Sequence, residues 1–190
     1  MRKHKNINAL FQIDTLSQLS PKTDSSLDII KEGLKLGLNI WITNPDNLTF
    51  YAGRISFMAS KVKDSSLKLY KSKKIFLEKF DFFFIRQDPP FDMKYISNCY
   101  LLELHQKFNK KPFFINDPTG IKNFTEKIFP LYFNNLMPKT MVSSSVKDLV
   151  YMFKKHNTLV LKPLYCEGGE DIYKFSRKDK HAVRTYENLL

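Results

Sequence analysis

Residues 81–92 read DFFFIRQDPPFD, an apolar run that ends on a guanidinium and then turns sharply. Four apolar residues in succession, with no polar alternation, suit a strand buried on both faces, as at the centre of a parallel sheet. Pro89 and Pro90 stop that strand. Arg86, Gln87 and Asp88 are therefore delivered to its carboxyl end, where open α/β sheets collect their ligands.

Outward from this stretch, strand and helix signals alternate. Residues 7–13 (INALFQI) read as a first strand. A helix is predicted to follow, capped by Asp24 or Ser25, with Leu27, Ile30 and Leu34 at helical spacing and Gly37 as its stop. Residues 39–43 (NIWIT) form the next strand, and the alternation on either side of Ala52-Gly53-Arg54 predicts a hairpin over residues 48–62. The Lys-rich residues 63–80 read as a helix or a loose connection. Beyond the central strand, residues 92–108 predict a helix with Met93, Ile96, Tyr100, Leu104 and Phe108 along one face. Residues 113–116 (FFIN) are again strand, turned by Asp117-Pro118. The expectation is a mostly parallel α/β sheet to about residue 120.

The pattern then changes. Short helical pieces broken at Pro130 fill residues 121–136, with a strand near 139–142 and a helix over 145–156 whose terminal Lys154, Lys155 and His156 suit the negative end of its dipole. Residues 158–162 read as strand, 163–169 as loop and 170–175 as strand. A second, α+β domain is expected from residue 123, with a first domain over 1–122.

Composition narrows the function classes. The 190 residues are 43% hydrophobic and 14% aromatic, too apolar for a disordered chain. No stretch approaches the roughly 18 apolar residues of a spanning helix, and the basic N-terminus lacks a cleavage signal. Cys99 and Cys166 form no framework and no zinc spacing, so a cytoplasmic location is expected. The net charge of +12 raises a polyanion as partner. However, only five of the 31 basic residues are Arg, and bidentate phosphate and base readers favour the guanidinium. His4, His105, His156 and His181 share no spacing and read as structural or surface residues.

Three constellations could carry chemistry, and none is a generic hydrolase or phosphate-loop motif. Arg86 to Asp92 sets a guanidinium beside carboxylates at a strand end, suited to an amino-acid-like anion or equally to a structural ion pair. Lys162 to Gly169 sets a lysine at a strand end ahead of two glycines, which suits phosphates or a plain hairpin. Lys127 stands near the start of the second domain.

Taken in order, these segments resemble the bacterial glutathione synthetases of the ATP-grasp superfamily. The resemblance rests on Asp14 with Lys22-Thr23-Asp24-Ser25-Ser26; Ile85 to Asp92; Ile115-Asn116-Asp117-Pro118; Glu126-Lys127-Ile128-Phe129; Leu136-Met137-Pro138-Lys139-Thr140; and Leu161-Lys162-Pro163-Leu164-Tyr165 before Gly168-Gly169. It implies a Rossmann-like substrate domain followed by an ATP-grasp module, incomplete in this chain. The implied activity is an ATP-dependent carbon–nitrogen ligase that phosphorylates the cysteinyl carboxylate of γ-glutamylcysteine and lets glycine displace phosphate. By the same resemblance Lys127, Lys162, Gly168 and Gly169 contact ATP, while Arg86, Asp88, Asp24, Ser25 and Ser26 line the peptide side.

Two departures qualify this. Cys166, Glu167, Glu170 and Asp171 put bulk and negative charge where the family's loop is rich in glycine, which should weaken nucleotide binding. The chain also stops before the family's C-terminal portion, which supplies the Mg²⁺ ligands. It is therefore expected to be inactive alone, with Mg²⁺ weakly held or absent. A basic nucleic-acid module, drawing on Lys-rich residues 61–79 and 174–184, and a non-catalytic remnant acting through interactions are the alternatives. Nucleic acid is disfavoured, no membrane association is expected, and homo-oligomerisation stays open.

Overall fold

The computed structural model describes residues 7–165, 171–176, 178–179 and 181–188. The chain divides into two units, Met1–Asp88 with Asp92–Phe124, and Pro89–Phe91 with Thr125–Leu190.

The first unit contains β1 (Asn8–Gln12), α1 (Ser25–Lys35), β2 (Asn39–Thr43), β3 (Leu48–Tyr51), β4 (Arg54–Lys61), β5 (Lys73–Phe76), β6 (Phe82–Ile85), α2 (Met93–Phe108), β7 (Phe113–Ile115) and α3 (Pro118–Asn123). One sheet runs β3-β4-β2-β1-β6-β7, with β5 also paired to β4. Strands β2, β1, β6 and β7 are mutually parallel, and β4 joins β2 antiparallel. From β1 the chain steps to β2 on one side and later returns to β6 on the other. The gap beyond the carboxyl ends of β1 and β6 is thus the topological switch point.

Local signals explain most boundaries. Asp24 caps α1 by accepting from the Ser26 and Leu27 amides, and Gly37 ends it at φ +83°. Ala52 and Gly53 turn the β3–β4 hairpin at φ +47° and +77°, the left-handed pair that two-residue hairpins require.

Successive residues of β1 face opposite sides of the sheet. Ala9 and Phe11 join Leu27 and Ile30 of α1 and Ile40 and Ile42 of β2. Leu10 joins Phe83, Ile85 and Phe114, Leu102 of α2, and Ile55 and Phe57 of β4. The sheet is therefore covered on both faces, and Phe11 stacks on Phe84 with ring centroids 4.2 Å apart.

Two expectations fail in this unit. Residues 63–72 are irregular and mostly exposed, but residues 73–80 are not a loose connection: β5 pairs along β4, and Leu77 and Phe80, at the start of and just after the 3-10 helix Leu77–Lys79, are buried. Helix α2 also buries a face other than the apolar stripe, packing Cys99, Leu102 and His105 inward while Met93 and Phe108 are 70% and 74% exposed. His105 is tolerated there because its Nε2 lies 2.8 Å from the Lys111 carbonyl, so the imidazole is satisfied.

The second unit has a 3-10 helix over Phe129–Leu136, then α4 (Val146–Lys155), β8 (Thr158–Leu161), β9 (Tyr173–Ser176) and α5 (Ala182–Asn188). Strands β8 and β9 pair antiparallel, Leu159 opposite Phe175. Helix α4 packs on β8 and α5, and Leu149, Phe175 and Ala182 are buried. The expected strand near 139–142 is irregular chain with Met141 and Val142 exposed, since no strand among the described residues pairs with it. Helix α5 is unforeseen, lying where the sequence shows a basic tail. Among the described residues no helix is long and apolar enough to cross a membrane.

Candidate functional site

The switch point gathers the polar residues that follow β1 and β6 and those at the start of α1. β6 hands over to Arg86, whose amide donates to the Gln12 carbonyl at 2.8 Å. The Arg86 guanidinium then reaches α1, its Nε donating to Ser26 Oγ at 3.2 Å and an Nη to Ser25 Oγ at 2.7 Å. Two hydroxyls therefore fix the orientation of the cation, and neither neutralises its charge. Asp14 accepts the Asp88 amide at 2.7 Å, tying the segment after β1 to the segment after β6.

Beneath them, Gln12 and Gln87 are buried and hydrogen-bonded to each other through the Gln12 amide nitrogen and the Gln87 oxygen. The Gln12 Oε1 meets no donor among the described residues. Sequence reasoning missed this pair; its signal was a glutamine closing the otherwise apolar run ALFQI.

The electrostatics are lopsided. Lost hydration first, and then the carboxylates of Asp14 and Asp24, push the Asp88 carboxyl above the ordinary aspartate range, while the Arg86 charge pulls it back. Asp88 thus stands among two other carboxylates and one guanidinium, and that guanidinium engages only hydroxyls in the hydrogen bonds described.

The structure brings Arg86, Asp88, Asp24, Ser25 and Ser26 together, with Asp24 spending its Oδ1 on the helix cap. In the second unit Lys127 lies in the turn before the 3-10 helix, its side chain largely covered and 3.8 Å from Glu126. Lys162 directly follows β8 and is exposed. Gly168 and Gly169 lie outside the described residues, as does the expected start of the last strand at Glu170.

Comparison with known proteins gives the family. A family model described as prokaryotic glutathione synthetase, N-terminal domain, matches residues 7–122. A second, described as prokaryotic glutathione synthetase, ATP-grasp domain, matches residues 126–189. A glutathione synthetase of Agrobacterium fabrum is 31% identical over 186 residues, covering 95% of this chain and 57% of the relative. That of Anaplasma centrale is 32% identical over 163 residues, with 84% and 51% covered, and that of Buchnera aphidicola is 29% identical over 194 residues, with 100% and 60% covered. Among solved structures, the D-alanyl-alanine synthetase A of Vibrio cholerae aligns with a TM-score of 0.54 at 12% identity, over 97% of this chain and 56% of that one. The chain spans about half the length of the curated relatives it matches.

These matches put the fold in the ATP-grasp class, which the second family model names. The chain belongs to the prokaryotic glutathione synthetase family. The basic-module alternative finds no support, because both Lys-rich segments lie inside the matched domains. Along the first, Lys63 and Lys73 lie over the rings of Tyr70 and Trp41.

Family membership implies use of ATP and Mg²⁺. Among the described residues no group of three or more His, Cys, Asp or Glu could hold a metal ion, so the described side chains do not fit Mg²⁺ as a cage.

Proposed function

We propose that this chain carries the dipeptide-recognition part and a portion of the nucleotide grip of a ligase that joins γ-glutamylcysteine to glycine with ATP, residues 1–122 serving the peptide and 123–190 the nucleotide. The observation that carries the reading is the Arg86 guanidinium held open by Ser25 and Ser26 at the switch point, in a chain of this family.

A carboxylate is a poor acyl donor. ATP supplies the phosphoryl group that turns it into an acyl phosphate, which the glycine amine then attacks. Arg86 binds a carboxylate of the dipeptide with its free N–H donors, a charge-assisted contact with directional geometry. Asp88 balances the opposite charge, while Asp24 holds the start of α1 in place so that both serine hydroxyls meet the guanidinium. Lys127 and Lys162 place cations against the phosphates, and the family resemblance assigns Gly168 and Gly169, which lie outside the described residues, to the same nucleotide grip. A thiol substrate suits the reducing cytoplasm.

Calorimetric titration of the purified 190-residue protein with γ-glutamylcysteine, under reducing conditions, tests the reading. Saturable binding is expected, weakened at least about tenfold by Arg86→Ala, as for loss of a hydrogen bond to a charged group. Absence of saturable binding to the wild-type chain refutes it.

A further inference from the structure

We propose that Gln12 and Gln87 are positioning residues: their buried amide pair adds nothing to stability over an apolar pair and instead fixes the segment that carries Arg86. This rests on the reading of Arg86 as the anion contact of the cleft and adds what holds that contact in place.

The β1–β6 ladder runs out here. The Arg86 amide donates to the Gln12 carbonyl at 2.8 Å. Beyond that rung the two segments are joined through side chains, Gln12 to Gln87 and Asp14 to the Asp88 amide. Residues 86, 87 and 88 are thus each tied to residues 12–14, and the amide pair is the middle tie.

The pair also acts from the opposite side of the sheet. Alternation along β1 and β6 puts Leu10, Phe83 and Ile85 on the face covered by Leu102 of α2, and Phe11 and Phe84 on the face covered by α1. Gln12, two residues after Leu10, shares the α2 face, and Gln87 meets it there. Arg86 points the other way, to Ser25 and Ser26 of α1. The backbone at Arg86 is therefore anchored on one face while its guanidinium is presented on the other.

Burial argues against a stabilising role. Gln12 is 1% and Gln87 9% exposed, and Gln12 Oε1 meets no donor among the described residues. A buried acceptor without a donor destabilises the folded state, and an apolar pair of the same shape avoids that penalty. Leu10, Phe83 and Ile85, the neighbours on this face, are apolar. A polar pair in such a setting specifies alignment, because only one register of β1 against the segment after β6 brings amide to amide.

The test compares wild type, Gln12→Met, Gln87→Met and the double variant, Met having nearly the shape of Gln. Thermal unfolding is followed by Trp41 fluorescence, and γ-glutamylcysteine is titrated calorimetrically into each folded protein. Each single variant orphans the remaining amide and should lower Tm by about 3–10 °C. The double variant should melt within about 3 °C of wild type or above it, yet bind about tenfold more weakly. A pair that merely filled the core would leave the affinity of the folded double variant unchanged. The Nε–Hε NMR signal of Arg86, one of five arginines, is assigned by its loss in Arg86→Ala and should shift or broaden in the double variant. The proposal is overturned if the double variant melts more than about 3 °C below wild type, if its affinity changes less than about threefold, or if the Arg86 signal stays in place. If wild type binds no γ-glutamylcysteine, the functional reading fails, and the melting and the Arg86 signal still decide whether the amide pair positions the guanidinium.

Discussion

Asp81 immediately precedes β6 and ties two other strands to it, so its removal should cost more than a surface carboxylate usually does. Its Oδ2 accepts the Asn8 amide at the start of β1 at 2.9 Å, and its Oδ1 lies 2.5 Å from Lys111 Nζ, two residues before β7. In Asp81→Ala the Asn8 amide loses a charged acceptor, at about 1.5–3 kcal/mol. The Lys111 side chain is 64% exposed, so that pair adds at most about 0.5 kcal/mol. A total near 2 kcal/mol corresponds to a fall in Tm of about 4–8 °C for a chain of this size. Asp81→Asn keeps an acceptor oxygen and should lose only about half as much. The Lys111 ammonium and the Asn8 amide hold the Asp81 carboxyl below the ordinary aspartate range. The stabilisation is therefore complete above the unfolded value of about 3.9 and disappears as pH falls through the lower folded one. Urea unfolding followed by the fluorescence of Trp41, the one tryptophan, reports on this unit. The gap between wild type and Asp81→Ala should stay constant from about pH 5 to 8 and close below about pH 4. A gap under about 0.5 kcal/mol at pH 7 would refute the reasoning, and so would one that widens in acid.

Phe83 is fully buried between Phe57 and Phe114, with centroids 5.4 and 5.5 Å away, so Phe83→Ala should cost about 3–5 kcal/mol in urea unfolding; a loss below about 1.5 would show that the site collapses. Ala52 sits at φ +47° in the hairpin turn, and Ala52→Asn should raise stability by up to about 1 kcal/mol, with an unchanged or lower Tm as the contrary result. Burial keeps Cys99 1% exposed and pushes its thiol up to about 11. Iodoacetamide at pH 8 should therefore leave the Cys99 peptide unlabelled until the protein is denatured, and labelling at the unfolded rate would contradict this placement.

Much of the first unit was legible because its signals are local. Asp24 before Leu27, Ile30 and Leu34 defines α1, Gly37 ends it, and Ala52-Gly53 between alternating runs defines the hairpin. The face of α2 was not legible, because both of its sides carry apolar residues. The sheet selected Cys99, Leu102 and His105 by position, and the Lys111 carbonyl made a buried imidazole tolerable. Strand β5 was hidden for a similar reason. The run Lys73-Lys74-Ile75-Phe76 lacks an alternating pattern and is a strand because β4 offers it an edge and Trp41 a ring for Lys73.

At the candidate site, the sequence by itself determined the chemical inventory: a guanidinium and carboxylates at a strand end, and hydroxyls at the first turn of a helix. It did so because strand ends, caps and proline stops are set by neighbours a few residues apart. Only the tertiary structure decided that Ser25 and Ser26 hold Arg86 from 61 and 60 residues away, that Asp14 ties Asp88 across the switch point, and that Gln12 meets Gln87 beneath them. Those contacts depend on the lateral order of β2, β1 and β6 in the sheet. That order is fixed by burying both faces at once, a condition on the whole fold that no window of sequence contains.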